Sequence, residues 1–209
     1  MTYQLYFAPG ACSMAIHAVL LECGQSVELH PINLAAPRPP EFLKVNPRGS
    51  VPVLVAGGHA IREGGAQIVY LCDTHQSPLL PASGMARAKA LEWLMFANST
   101  LHPAYARLFF LRKTLGEDHM QSAAWKAGEQ AIQTLWDELE AELASKPYLC
   151  GDAVTAGDIL VSVIANWGGW LPNPPRLGSN LKAYFARVSA RPAFQKALAA
   201  ENVEYKAAA

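Results

Sequence analysis

Cys12 stands in Pro9-Gly10-Ala11-Cys12-Ser13, at the point where a short apolar strand stops and a helical stretch begins. The unpaired N–H groups and positive end of a helix favour a thiolate there, which would bring the cysteine below its usual pKa of about 8.5. Ser13 adds a hydroxyl donor, and a small buried thiol is the plain alternative for Cys12. Cys23, Cys72 and Cys150 lie in or at the ends of apolar helical surroundings and read as inert.

A second stretch, Asn46-Pro47-Arg48-Gly49-Ser50-Val51-Pro52, leads a proline into a strand that otherwise reads as buried. Proline lacks the ladder donor, so Pro52 implies a sheet margin. Most X-Pro bonds are trans; a cis bond here would free the N–H and C=O of Val51 to pair with an extended peptide, in the manner of strand addition. The third stretch is Arg62-Glu63-Gly64-Gly65 before a helix. Glu63 suits an ammonium group, and the amides of Gly64 and Gly65 suit a carboxylate.

These residues need a scaffold. Leu5 and Phe7 alternate around a first strand, an apolar helix runs from Met14 to Leu21, and Gly24 closes it. Val27, Leu29 and Ile32 mark a second strand, and Pro37, Pro39 and Pro40 read as an exposed loop. Val53–Val55 and His59–Ile61 flank Gly57-Gly58 as a hairpin, and a helix follows over 65–74. This β-α-β, then β-β-α order predicts a thioredoxin-like α/β domain over residues 1–76. The segment 77–84 reads as a linker, and 85–209 as an all-helical domain. Met85 to about Leu115 predicts one long helix, and Ile132, Leu135, Trp136, Leu139 and Leu143 mark another. Thr155-Ala156-Gly157-Asp158 has the form of a capping box before an apolar run, and Pro192 opens a last helix.

Composition narrows the rest. Of 209 residues, 51% are hydrophobic and 16% charged, which excludes intrinsic disorder. Seventeen basic side chains balance seventeen acidic ones, so the field that draws proteins onto nucleic acid or anionic membranes is missing. There is no signal-like N-terminus and no span of about 20 apolar residues, so a cytoplasmic protein is expected. Four cysteines without a C-x-x-C pair disfavour zinc and suit free thiols.

The three motifs together describe one peptide: an α-amino-acid end, an extended middle and a thiol near Cys12. Glutathione meets that description. With Leu101-His102, the capping box and Arg191-Pro192, the motifs fall in an order that resembles the cytosolic glutathione transferases over essentially the full length, most closely the bacterial beta class. The resemblance implies a two-fold homodimer, glutathione as co-substrate, no metal, and conjugation of a small hydrophobic electrophile in detoxification. It also implies that Cys12 lies beside the glutathione sulfur and can form a mixed disulfide with it. Ser13 and His102 would approach the thiol, Val51 and Pro52 would hold the cysteinyl backbone, and Glu63 and Gly64 the γ-glutamyl end. Trp167 would line the electrophile pocket, and Tyr105 and Phe109 share the helix face of His102 at i+3 and i+7. A thiol–disulfide oxidoreductase or peroxidase and a non-catalytic binding protein are the alternatives. Three departures stand out: Pro103 replaces a basic residue, Ala35-Ala36-Pro37 replaces a lysine-bearing stretch for which Arg38 or Arg48 could substitute, and Gly64 stands where many relatives have serine.

Overall fold

A computed structural model describes residues 2–209. The chain forms two compact units: Met1–Ala88 with Ala190–Glu204, and Lys89–Ser189 with Tyr205–Ala209.

The first unit is built on a four-stranded sheet: β1 (Tyr3–Phe7), β2 (Val27–Pro31), β3 (Val53–Ala56) and β4 (His59–Ile61), in the order β2-β1-β3-β4. β1 runs parallel to β2 and antiparallel to β3, and β3 runs antiparallel to β4. Tyr3, Leu5 and Phe7 are buried on one face, as strand alternation requires, while Tyr6 on the other face stacks on Phe42. Helix α1 (Ser13–Glu22) follows β1 and is buried over its first eight residues. Gly24 is left-handed just past its end, as expected of a C′ glycine.

The proline-rich crossover holds an element that breaker residues conceal. Pro40 opens a short helix, α2 (Pro40–Val45), because proline is tolerated at a first helical position where its missing N–H has no partner to lose. Phe42 of α2 covers Val53 and Ile32. After β4 comes α3 (Gly64–Thr74). In the expected linker, Ser77, Leu79 and Leu80 are buried. The last helix, which the sequence reading groups with residues 85–209, packs on α1 in this unit; it is numbered α9 below (Pro192–Glu201). Arg191, just ahead of it, donates to both carboxylate oxygens of Glu22 at 2.7 Å.

The expected long helix of the second unit is three consecutive segments. α4 (Gly84–Phe96), which begins in the first unit, passes into a wider π turn (Ala97–Leu101) and then α5 (His102–Leu115). Pro103 accounts for the turn: its ring would strike the carbonyl four residues back, and it has no N–H to donate there. The His102 N–H accordingly donates to Ala97 O, five residues back. α6 (Ala123–Glu142) packs on α5, and α7 (Ala156–Ala165) is buried along its whole length. α8 (Ser179–Ser189) completes the order before α9.

The capping box before α7 is present. Asp158 is fully buried and accepts from the amides of Leu149 (3.0 Å) and Thr155 (2.6 Å) and from the hydroxyls of Thr155 (2.8 Å) and Tyr184 (3.0 Å). Among the described residues no helix is long and apolar enough to cross a membrane.

Candidate functional site

Sheet register assembles the first-unit site. Tyr6 pairs with Val53 in the last pair of the antiparallel β1–β3 ladder, so Ala8, whose carbonyl opens the turn that leads to Cys12, and Val51 each lie two residues past that pair at the same end of the sheet. The Val51-Pro52 bond is cis. Among the described residues neither the N–H nor the C=O of Val51 has a protein partner. The sheet therefore ends here in one unpaired donor and one unpaired acceptor. Gln67, buried in α3, donates to Pro52 O (3.1 Å) and Ile61 O (2.8 Å), tying the start of α3 to the same margin. No motif in the sequence points to Gln67.

Cys12 is the N-cap residue of α1, as expected, and is partly exposed. The expected depression of its pKa is overturned. Burial pushes the Cys12 thiol up to about 11, against the opposing pull of the Cys12 and Ser13 amides. The helix start was legible in the sequence, but the removal of water around the sulfur was not, and desolvation outweighs the dipole. Cys12 is thus a thiol near neutrality, able to donate its S–H.

Ser13 also departs from expectation. It is fully buried, and its Oγ donates to Ala8 O and accepts from Ala8 N–H, both at 3.2 Å. The hydroxyl closes the turn ahead of Cys12 instead of facing outward. A second brace comes from Glu201, at the end of α9. Its buried carboxylate accepts from Gly10 N–H (3.1 Å) and bonds His17 Nδ1 (3.0 Å). Gly10 is left-handed (φ 69°), a conformation that suits glycine and aims its amide at this carboxylate.

At the start of α3, Glu63 and Gly64 occupy the N-cap and first helical positions, and no side chain caps the helix. Glu63 Oε1 is met at 2.9 Å by Arg48. Arg38, the other expected stand-in for the missing lysine, is spent on backbone carbonyls: Gly49 (2.8 Å), Asn33 (2.9 Å) and Ala36 (2.7 Å).

The second unit gathers its expected residues into one aromatic cluster. The rings of His102 and Trp167 meet edge to face at 4.9 Å, Tyr105 and Phe109 lie 5.9 and 6.0 Å from Trp167, and Trp170, missed in the sequence, stacks on Trp167 at 6.1 Å. Tyr105 is wholly buried and its hydroxyl accepts from Trp136 Nε1 at 2.9 Å, so it serves the core and not a pocket wall. Trp167 is also buried, which leaves His102, Phe109 and Trp170 as the more accessible members. Burial holds the His102 imidazole below its usual range, so it is neutral at pH 7.

The first unit is thus a thioredoxin-like fold with a cysteine at its first helix start and an unpaired backbone step at its sheet margin, and the same chain carries a helical unit. Similarity to known proteins makes this specific. Residues 1–73 match the family model described as "Glutathione S-transferase, N-terminal domain", and residues 101–192 match "Glutathione S-transferase, C-terminal domain". Glutathione S-transferase GST-4.5 of Xanthomonas campestris is 33% identical over 96% of this chain and 99% of its own. A sphingomonad glutathione S-transferase solved with glutathione is 30% identical, with a TM-score of 0.82 over 96% of this chain and 100% of that one. A bacterial beta class enzyme of Sphingomonas chungbukensis is 29% identical, with a TM-score of 0.83 over the same shares. The chain belongs to the glutathione S-transferase family.

Proposed function

We propose that this protein conjugates glutathione to small apolar electrophiles. The reading is carried by the unpaired N–H and C=O of Val51, two residues past the last β1–β3 pair: together they are the pairing a cysteinyl residue needs to lie along a sheet edge, and α1 with Cys12 at its start follows β1 from that same end. The amides of Cys12 and Ser13 and the Cys12 S–H then favour the glutathione thiolate over its thiol. Glu63 and Gly64 take the γ-glutamyl end, and Pro52 fixes the margin. Ser13 acts through the turn it closes. In the second unit, Phe109 and Trp170, backed by Trp167 and Tyr105, form apolar surface of the kind a small hydrophobic electrophile needs, with neutral His102 in the same cluster.

A thiol near 11 is about one part in ten thousand ionised at pH 7, which disfavours Cys12 as the nucleophile of a disulfide exchange. The reading includes a homodimer, in keeping with Phe110 of α5 standing two-thirds exposed. It also includes a detoxifying role in the cytoplasm, where four free thiols stay reduced.

The test is retention on immobilised glutathione together with conjugation of a generic aryl halide. Both are expected, and Cys12→Ala should keep about a tenth of the rate, since it removes one weak donor and leaves the helix amides. Absence of both retention and conjugation would overturn the proposal. Retention with turnover wholly abolished in Cys12→Ala would move the chain to thiol–disulfide chemistry.

A further inference from the structure

Arg48 and Glu63 form an ion pair at 2.9 Å although about two-thirds of each side chain is exposed to water. An exposed pair of this kind adds little to stability, so the fold has scant need of it. Its setting is nonetheless rigid. Asn46, fully buried, donates to Ser50 O at 2.7 Å and accepts from the Arg48 N–H at 3.2 Å. Gly49 turns the chain at φ 64° against the Arg38 side chain, whose Nε donates to Gly49 O. Arg48 is thus an exposed cation on a stapled loop, held over the first residue before α3.

Only one Arg48 nitrogen and one Glu63 oxygen are engaged in this pair. Among the described residues, four guanidinium donors and one carboxylate oxygen have no side-chain or backbone partner, side by side, at a helix start with no side-chain cap. A carboxylate beside a guanidinium is the charge complement of an α-amino-acid zwitterion, which carries its ammonium and carboxylate on one carbon. Gly64 supplies no hydroxyl to that carboxylate, whereas the guanidinium fork matches carboxylate geometry.

We propose that Arg48 is a specificity-determining residue that binds the α-carboxylate of the γ-glutamyl end, with Glu63 holding the adjacent ammonium. This rests on the glutathione-binding reading above. Arg48 remains paired to Glu63 through one oxygen, so the two charges receive the zwitterion already oriented.

The test compares steady-state conjugation by the wild type, Arg48→Ala and Arg48→Lys with two peptides: glutathione, and γ-aminobutyryl-cysteinyl-glycine, which lacks only the α-carboxylate. For glutathione, Arg48→Ala should raise KM about tenfold with the loss falling on KM and not kcat, and Arg48→Lys should recover part of it. For the truncated peptide the wild type and Arg48→Ala should share one KM. An unchanged or lower glutathione KM in Arg48→Ala would mean that Arg48 only masks Glu63, and an equal loss with both peptides would place its contact elsewhere; either overturns the proposal. A wild type that turns over neither peptide would overturn the binding reading together with it.

Discussion

Asp158→Ala should destabilise the chain by about 3–5 kcal/mol, a large part of the total stability of an ordinary domain. Its carboxylate collects four hydrogen bonds in a fully buried position, two from amides and two from hydroxyls. Removing it strips the Leu149 and Thr155 amides and the Thr155 hydroxyl of this acceptor in a buried setting, while the Tyr184 hydroxyl falls back on its longer bond (3.3 Å) to the carbonyl of residue 158, at the start of the most buried helix of the second unit. Asp158→Asn keeps the shape but turns an amide toward donors, so about half the loss should persist. Urea unfolding followed by near-ultraviolet circular dichroism would measure it. A midpoint shift equivalent to less than about 1 kcal/mol in the alanine variant would mean that the network does not hold α7 in place.

The second large effect belongs to Glu201. Glu201→Ala should cost about 2–4 kcal/mol, by taking the carboxylate away from buried His17 and from the Gly10 amide in a dry interior. It should also raise the KM for glutathione, because Gly10 lies two residues before Cys12. Glu201→Gln retains one acceptor and should recover the fold more than the binding. A double-mutant cycle with His17→Ala measures the coupling: a value below about 0.5 kcal/mol would show that the two side chains act independently.

These two sites were not equally visible in advance. Asp158 sits three residues from Thr155, and a capping box is a local pattern, so the sequence displays it. Glu201 meets Gly10 across 191 residues, and one buried glutamate near the end of a helix carries no mark of its partner. The same distinction runs through the fold. Strand alternation, the Gly24 stop and the Gly57-Gly58 hairpin are short-range and were readable. The α2 helix was hidden because proline breaks a helix interior yet starts a helix well. The π turn depended on how the chain resolves a clash at Pro103. In the site, the positions of Cys12 and Val51 followed from motif and turn, whereas the direction of the Cys12 shift and the inward bonds of Ser13 followed from desolvation and packing. Tyr105 had the right helix face, but only the structure discloses Trp136 on its hydroxyl.

In the proposed function, α1 and the Val51 margin bring the glutathione sulfur into a setting that favours its thiolate. The most direct measurement is an ultraviolet titration of thiolate absorbance in the wild-type complex with glutathione. Two separated steps are expected. The bound glutathione thiol should ionise at least one unit below the ordinary thiol value of about 8.5, equivalent to about 1.4 kcal/mol of preferential binding to the thiolate, so that conjugation rises with pH through that midpoint and then levels. Cys12, already pushed up to about 11 by burial in the chain alone, should follow only well above that step, since a neighbouring thiolate disfavours its own ionisation. A bound glutathione thiol that ionises at or above its value in free solution, or a Cys12 step near neutrality, would contradict it.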